Sequence, residues 1–505
     1  MFTNNDEARF PVLAQDILAR GDWLWPRLNG VGYYNKPPLL AWLIALCSWP
    51  LGQVTQWTAV VPSALAGVAT VLIVYGLGRD LFGPEAGGFA ALVATTTQGL
   101  FVHAHLALPD ILMTCFITAS LWMLARMTRE RPNAWIGFYG FAGLAFWAKG
   151  PAGLLPLAIA LVYGLATRSR RAWSLRLAPG LPLVGVAVGL WWFLGVLSSS
   201  QAMAQAVVTD QLAWYRPQAP SLAAITAPLR NSFGVLFPWV LLLPLALPSV
   251  LRRREDGPTR DGLFLVLVWA GVTLALIALS TQQRVRYYVP IVPPVALLIG
   301  WWLSDAMARR RRIEVPWRLS RAVALVLAGA TLVAVVSSRR LLRSLLDALP
   351  ASPVLGAALL GGLALIAVAV VLAVRHDGLR GAVAAMWVGG ALWLVAGDYW
   401  EIERHARAGD YASLASQLGP LLGDSPLVVA WGIPELPLAF YAGRRVVSVD
   451  SSGELRLVIT QEPRTATVAT LANWTDLAEG DRLTVVARNR LASREVVLVR
   501  RPATS

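Results

Sequence analysis

Between residues 56 and 397 the chain is a succession of apolar stretches with short polar breaks, at roughly 56–78, 86–102, 108–125, 134–148, 150–166, 180–197, 233–250, 263–280, 288–304, 321–336, 354–374 and 382–397. Each is near the length that a bilayer core demands of a helix, which predicts a polytopic α-helical membrane protein of about twelve spans. Hydrophobic residues make up 56% of the 505 positions and charged residues 14%, too little polar surface to cover a soluble globule. The piece from Pro37 to Leu51 is too short to cross and is expected at the interface.

The net charge of +15 does not point to nucleic acid, because most arginines fall in short loops between spans rather than on one basic face. Arg126, Arg129 and Arg131; Arg168, Arg170 and Arg171; Arg252 to Arg254; Arg309 to Arg312; and Arg375 with Arg380 occupy alternate loops, which the positive-inside rule assigns to the cytoplasm. Counting outward places residues 1–37, the His103 to Asp110 turn, Lys149, the loop from Ser199 to Asn231, the Gln282 to Tyr288 turn and the whole C-terminus outside. A location in the inner or plasma membrane follows, with the unusual polar residues gathered on the outer face. Cys47 and Cys115 sit in apolar runs and read as small buried hydrophobes. With the polar Thr-Asn-Asn-Asp-Glu start outside, a further span ahead of Met1 is expected.

Two segments follow as domains: 1–397, membrane-embedded, with a first outer loop at 1–37, and 398–505, a small extracytoplasmic α/β domain. Within the second, Asp410 is expected to cap a helix through Leu422. A helix is expected over Glu435 to Ala442, and strands over Leu427 to Trp431, Val446 to Val449, Leu455 to Thr460, Leu483 to Ala487 and Val496 to Val499. Gly419 and Gly443 read as helix stops. No glycine-rich strand-to-helix turn with a spaced acid appears, so no nucleotide fingerprint is present.

The chemistry gathers in a few outer-face constellations. Asn5-Asp6-Glu7-Ala8-Arg9-Phe10 opens an amphipathic segment with Phe10, Leu13 and Ile17 at helical spacing, expected to lie on the membrane surface. Asp6 and Arg9 would share a face and Glu7 would not. Pro11 suggests that the helix starts near Arg9 and leaves Asp6 in a loop. Lys36 in Asn-Lys-Pro-Pro and Lys149 in Ala-Lys-Gly-Pro are the only lysines of 44 Lys plus Arg. A compact ammonium is not equivalent to a guanidinium, and a phosphate is the natural partner for such a point charge. Two prolines aim Lys36 toward the membrane surface, where snorkelling to lipid is the bland alternative. Asp110, at the head of an otherwise apolar span, is costly there and is a functional candidate, with helix capping as its structural alternative. His103 and His105 suggest metal only weakly, since an H-x-H pair on a helix points its rings to different faces. Arg284-Val285-Arg286-Tyr287-Tyr288 offers phosphate-binding cations and hydroxyls, or an interfacial belt. Trp214 and Tyr215 could stack on a sugar or anchor at the headgroups.

Taken in order, Asp6-Glu7-Ala8-Arg9, Asn35-Lys36-Pro37-Pro38, Leu108-Pro109-Asp110, Ala148-Lys149-Gly150-Pro151, Phe237-Pro238-Trp239 and Arg286-Tyr287-Tyr288-Val289-Pro290 resemble the bacterial family 39 membrane glycosyltransferases of the C type, which include aminoarabinose transferases and relatives of protein mannosyltransferases. The resemblance implies a sugar moved, with inversion, from a polyprenyl-phosphate donor to a lipid, glycan or protein acceptor on the outer face. It implies Asp6 at the catalytic centre with Asp110, and Arg9, Lys36, Arg286 and Tyr288 on the donor phosphate. Glu7, Lys149 and His105 are further candidates. Aminoarabinose transferases carry a metal-associated Glu and His where this chain aligns Asn35 and Gln211, so no metal is assigned and a divalent ion stays doubtful. The expected partners are the donor, membrane lipid and an acceptor, and no nucleic acid. A transporter or lipid flippase is the competing class, but such proteins show repeated halves with broken helices at the midplane, which this sequence does not.

Overall fold

The computed structural model describes residues 2–129, 133–167, 180–211, 222–252, 257–309, 352–375, 378–423, 425–462, 464–475, 484–491 and 494–500. The expected span at 321–336 and the aromatics Trp214 and Tyr215 lie outside these residues.

The outer loop begins with α1 (Asn5–Arg20), followed by the short hairpin β1 (Arg27–Leu28) and β2 (Val31–Gly32), and then α2 (Leu39–Ser48). The membrane helices are α3 (Gln56–Phe82), α4 (Pro84–Thr95), α5 (Gln98–Ala104), α6 (Pro109–Arg129), α7 (Ala134–Lys149), α8 (Leu155–Thr167), α9 (Leu181–Gln205), α10 (Leu222–Leu236), α11 (Leu243–Arg252), α12 (Pro258–Ala278), α13 (Val292–Arg309), α14 (Pro353–Arg375) and α15 (Leu379–Ala408).

Eight stretches among the described residues are helical, long and apolar enough to cross a bilayer, or nine if a bent pair counts as one span. The shortfall from twelve has local causes. The 86–102 stretch breaks at Thr96 and Thr97 into two short helices, each with less than the length of a span. The 233–250 stretch bends by 107° between Leu236 and Trp239. The two expected spans at 134–148 and 150–166 form one apolar run over Ala134–Thr167. That run is not a straight rod. Gly150 has φ +74°, and a Cβ on Gly153 would fall 2.2 Å from the Ala145 carbonyl carbon, so the chain doubles back just after Lys149.

After α15 come α16 (Tyr411–Leu422), β3 (Val428–Trp431), α17 (Glu435–Ala442), β4 (Val446–Val449), α18 (Ser452–Gln461), β5 (Ala466–Thr470), α19 (Leu471–Thr475), β6 (Thr484–Leu491) and β7 (Arg494–Arg500). The sheet order is β4-β3-β5-β7-β6, with β3 parallel to both β4 and β5 and the β5-β7-β6 edge antiparallel. Most expected elements stand, including α16 with Asp410 accepting from the Ser413 N–H at 2.9 Å. Leu455 to Thr460 is helix rather than strand: Ser451 caps it, and only Leu455 and Ile459, four apart, are buried. Gly419 lies inside α16, whereas Gly443 ends α17 in the left-handed conformation. Strand β5, absent from the expectation, is buried on both faces between β3 and β7 and so shows no alternation. Helix α15 runs unbroken past 398 to Ala408, so the sheet domain starts beyond that boundary.

Helix α1 begins at Asn5, not near Arg9. Asn4 accepts from the Glu7 N–H at 3.1 Å, and Glu7 accepts in return from the Asn4 amide at 2.8 Å, which fixes the first turn upstream of Pro11. Gly21, at φ +72°, ends the helix with its N–H on Ile17 O. Phe10, Leu13 and Ile17 are fully buried, but against α2 and α17 rather than lipid. The helix is therefore a wedge between the bundle and the sheet domain. Asn5 donates to Glu435 and accepts from Leu436 N–H, the Phe2 N–H reaches Tyr441 Oη at 2.9 Å, and Gln15 donates to Phe440 O.

Candidate active site

Capping by Asn4 places Asp6 in the first turn of α1 and Arg9 one turn on, where the pair meets at 3.3 Å. The segment 285–291 is a 3₁₀ turn leading into α13, with Arg284 extended ahead of it. That geometry sends two guanidinium groups to one oxygen: Asp6 Oδ2 accepts from Arg284 Nη1 at 2.6 Å and from Arg286 Nη1 at 2.9 Å. Three arginines from two distant stretches thus converge on one carboxylate. Partial burial pushes Asp6 up, but the hydrogen bond and charge of Arg286, then the charges of Arg9 and Arg284, hold it below the usual carboxylate range.

The edge-on packing of Tyr33 against Phe10 fastens the chain ahead of Lys36 beneath α1. Lys36 turns into the protein rather than out to the membrane surface. Its ammonium is pushed down to about 7, first by burial and then by the charge of Lys149, with Asp110 opposing and Arg286 and Arg9 adding to the effect. The chain's only two lysines are therefore electrostatic neighbours. Lys149, where the chain reverses after α7, makes a buried ion pair with Asp110 in the first turn of α6 and lies 4.4 Å from the centroid of the Tyr287 ring.

Some expected residues are placed elsewhere. Glu7 is spent on capping. Tyr288 is fully buried and donates to Gln283 Oε1 at 3.0 Å, while Tyr287 faces Lys149 and Arg286. The whole run from Tyr288 to Ile291 is buried as the turn enters α13, so the Tyr288 ring is packed inside while Tyr287, just ahead of it, borders the ionic cluster. His105 is exposed, holds the Phe101 carbonyl through Nδ1 and packs tilted against the Phe101 ring. His103 is the buried histidine, bound to Gly99 O and within electrostatic reach of Asp110 and Lys149. Arg284, Tyr287 and His103, which belong to the constellations read from the sequence but were given no role of their own, thus join the neighbourhood. Arg284 had a readable signal, since it flanks Arg286 in the same basic turn.

The donor set does not suit a divalent ion. Asn35 offers only an amide, the side chain of Gln211 lies outside the described residues, and no three His, Cys, Asp or Glu among the described residues come together. The chemistry on offer is electrostatic: five cationic side chains, Arg9, Lys36, Lys149, Arg284 and Arg286, against the carboxylates Asp6 and Asp110.

Across 98% of its length the chain superposes on 94% of the ArnT chain from Cupriavidus metallidurans crystallised with undecaprenyl phosphate, with a TM-score of 0.75 at 22% identity. The fold is that of the C-type membrane glycosyltransferases. The Archaeoglobus fulgidus oligosaccharyltransferase shares the C-type fold more distantly, at a TM-score of 0.52 and 14% identity over 93% of this chain and 66% of that one. Residues 35–198 match the family described as dolichyl-phosphate-mannose-protein mannosyltransferase. Two curated relatives are named undecaprenyl phosphate-alpha-4-amino-4-deoxy-L-arabinose arabinosyl transferases. That of Pectobacterium carotovorum is 30% identical over 61% of this chain and 56% of its own length. The first of two from Pseudomonas fluorescens is 30% identical over 60% and 56%. The chain spans just over half the length of these relatives, and the resemblance read from the ordered motifs is borne out. A multi-pass membrane protein of C-type architecture is established.

Proposed function

We propose that the chain is a glycosyltransferase that moves a sugar from a polyprenyl-phosphate donor to an acceptor at the extracytoplasmic face of the inner membrane, with the sheet domain on that same side. The carrying observation is the charge imbalance at Asp6. Three guanidinium groups crowd one carboxylate, and two of them, Arg9 and Arg286, also act on the buried Lys36 ammonium, so an anion that arrives there is stabilised by groups already in place. A donor phosphodiester supplies that anion, and the names of the similar transferases support the choice of a polyprenyl carrier.

In this reading Arg9, Lys36 and Arg286 take the donor phosphate and stabilise the charge that grows on it as the glycosidic C–O bond breaks. Drawing the arginines onto the phosphate releases Asp6 from its ion pairs. The freed carboxylate then regains basicity and accepts the proton of an acceptor hydroxyl as that oxygen attacks the anomeric carbon from the face opposite the leaving phosphate, which inverts the centre. The Asp110–Lys149 pair and Tyr287 hold the floor of the site.

The test is product analysis by mass spectrometry of vesicles supplied with short-chain polyprenyl-phosphate sugars. Asp6→Asn keeps the helix cap and is expected to abolish transfer while the chain stays folded, with only a modest fall in thermal stability from the lost ion pairs. Full transfer by a folded Asp6→Asn variant refutes the assignment.

A further inference from the structure

A second basic site lies at the other end of α1, about 15 Å along the helix from Asp6, as ten residues of rise require. It is a cleft of about 410 Å³ between the C-terminal half of α1, the β1–β2 hairpin, the loop that leads into α3, and the turn between α17 and β4. Its charged lining is four arginines, Arg20, Arg27, Arg444 and Arg445, against the single carboxylate of Asp16.

That carboxylate is already engaged. Asp16 Oδ1 pairs with Arg20 Nε at 2.8 Å, and Oδ2 accepts from the backbone N–H of Arg27 at 2.9 Å. Arg444 donates to the Ser425 carbonyl at 3.0 Å. The exposed Arg27 and Arg445 pair with no carboxylate among the described residues. Arg445 is laid along Gly30, where a Cβ would come within 3.2 Å of its Nε, so the glycine leaves room for the guanidinium to reach the opening.

Exposed apolar side chains border the cleft. Its wall at Gly52 and Val54 is flanked by Trp49, Leu51 and Trp57, which are 63%, 59% and 85% exposed, and Trp57 lies in the first turn of the spanning helix α3. Large exposed aromatics at the mouth of a span mark the headgroup layer. Arginines gathered beside that layer on the side assigned to the outside run against the positive-inside bias, and orientation does not account for them.

We propose that this cleft seats the phosphate headgroup of an anionic membrane lipid and so fastens the sheet domain to the bilayer surface. Guanidinium groups bind phosphate oxygens in pairs, the exposed aromatics lie along the acyl side, and the volume falls in the range of roughly 300–1,000 Å³ typical of small-ligand sites. The inference stands apart from the role given to Asp6 and uses none of its residues.

The full chain in uncharged detergent is titrated with short-chain phosphatidylglycerol, with short-chain phosphatidylcholine and with inorganic phosphate. Phosphatidylglycerol is expected to bind tightest, and more weakly as salt is raised. Each basic residue beside an anionic surface contributes a factor of about five, so Arg27→Gln with Arg445→Gln is expected to weaken binding about thirtyfold. The control pair Arg488→Gln with Arg490→Gln, on the exposed face of β6, removes the same charge elsewhere and is expected to leave binding unchanged. Asp16→Asn keeps the acceptor for the Arg27 N–H and is expected to tighten binding. Equal binding of phosphatidylcholine or inorganic phosphate, or equal loss in the control pair, overturns the proposal. If the cleft pair does not fold, Asp16→Asn decides: tightening supports the site and no tightening overturns it.

Discussion

Lys36 makes the proposed donor site sensitive to pH in a direction that the structure fixes. In the free protein its ammonium is pushed down from 10.5 to about 7, chiefly by burial and by Lys149. Relative to a solvent-exposed lysine, that shift disfavours the charged form by about 5 kcal/mol. A donor phosphate about 4 Å away returns about 4 kcal/mol at an effective dielectric near 20, enough to restore the bound-state value to about 10. Binding therefore takes up a proton between about pH 7 and 10, and affinity falls as pH rises through that window. Between pH 7 and pH 9 the loss is about 50-fold. The assay is the Kd of a short polyprenyl phosphodiester, whose own phosphate does not titrate in this range, at fixed ionic strength from pH 6 to 9. Lys36→Met is expected to bind weakly at pH 7 and to show no further loss up to pH 9. A wild-type Kd that is flat from pH 6 to 9, or a Lys36→Met variant with the same slope, refutes the reasoning. The same shift sets the sign for stability: between about pH 7 and 10.5 the unfolded chain binds more protons, so the contribution of Lys36 to stability rises with pH across that window.

Breaking the buried Asp110–Lys149 pair by Asp110→Ala leaves an uncompensated ammonium and is expected to cost about 3–5 kcal/mol in thermal unfolding, while Asp110→Asn with Lys149→Met recovers most of it; a double variant as unstable as the single removes the pair from the account. Arg286, 14% exposed, is expected to matter more than Arg284, 50% exposed: replacement by Gln lowers kcat/KM about 100-fold for the first and about tenfold for the second, and the reverse order in a vesicle assay defeats the ranking. Asn5→Ala removes the bonds to Glu435 and to the Leu436 N–H, at a net cost of about 1–2 kcal/mol, and is expected to speed hydrogen exchange over residues 435–442, whereas unchanged exchange there means that α1 does not anchor the sheet domain.

Local signals made the parts legible. Apolar run length announced the spans, and an aspartate at the head of α6 announced its own cost. Where a turn sets geometry, the local pattern is ambiguous: Leu455 to Thr460 is apolar enough for a strand but is held helical by the Ser451 cap, and nothing in Arg-Tyr-Tyr says which ring is buried and which borders the charges. Pro11 misled for a similar reason. It forbids one backbone bond, yet the reciprocal Asn4–Glu7 cap starts the helix upstream of it.

The amino-acid order by itself determined that the chain enters a membrane, which residues are too polar to be there without a purpose, and that two lysines stand out in an arginine chain. Composition and run length are local, and transfer free energy sums over them without knowledge of neighbours. Only the tertiary structure decided that Arg284 and Arg286 meet an aspartate some 280 residues away, that Lys149 is paired with Asp110, and that Lys36, buried beside Lys149, loses much of its basicity. Charge interactions fall off with distance through space rather than along the chain, so a site built from five separate segments exists only once packing has brought them together.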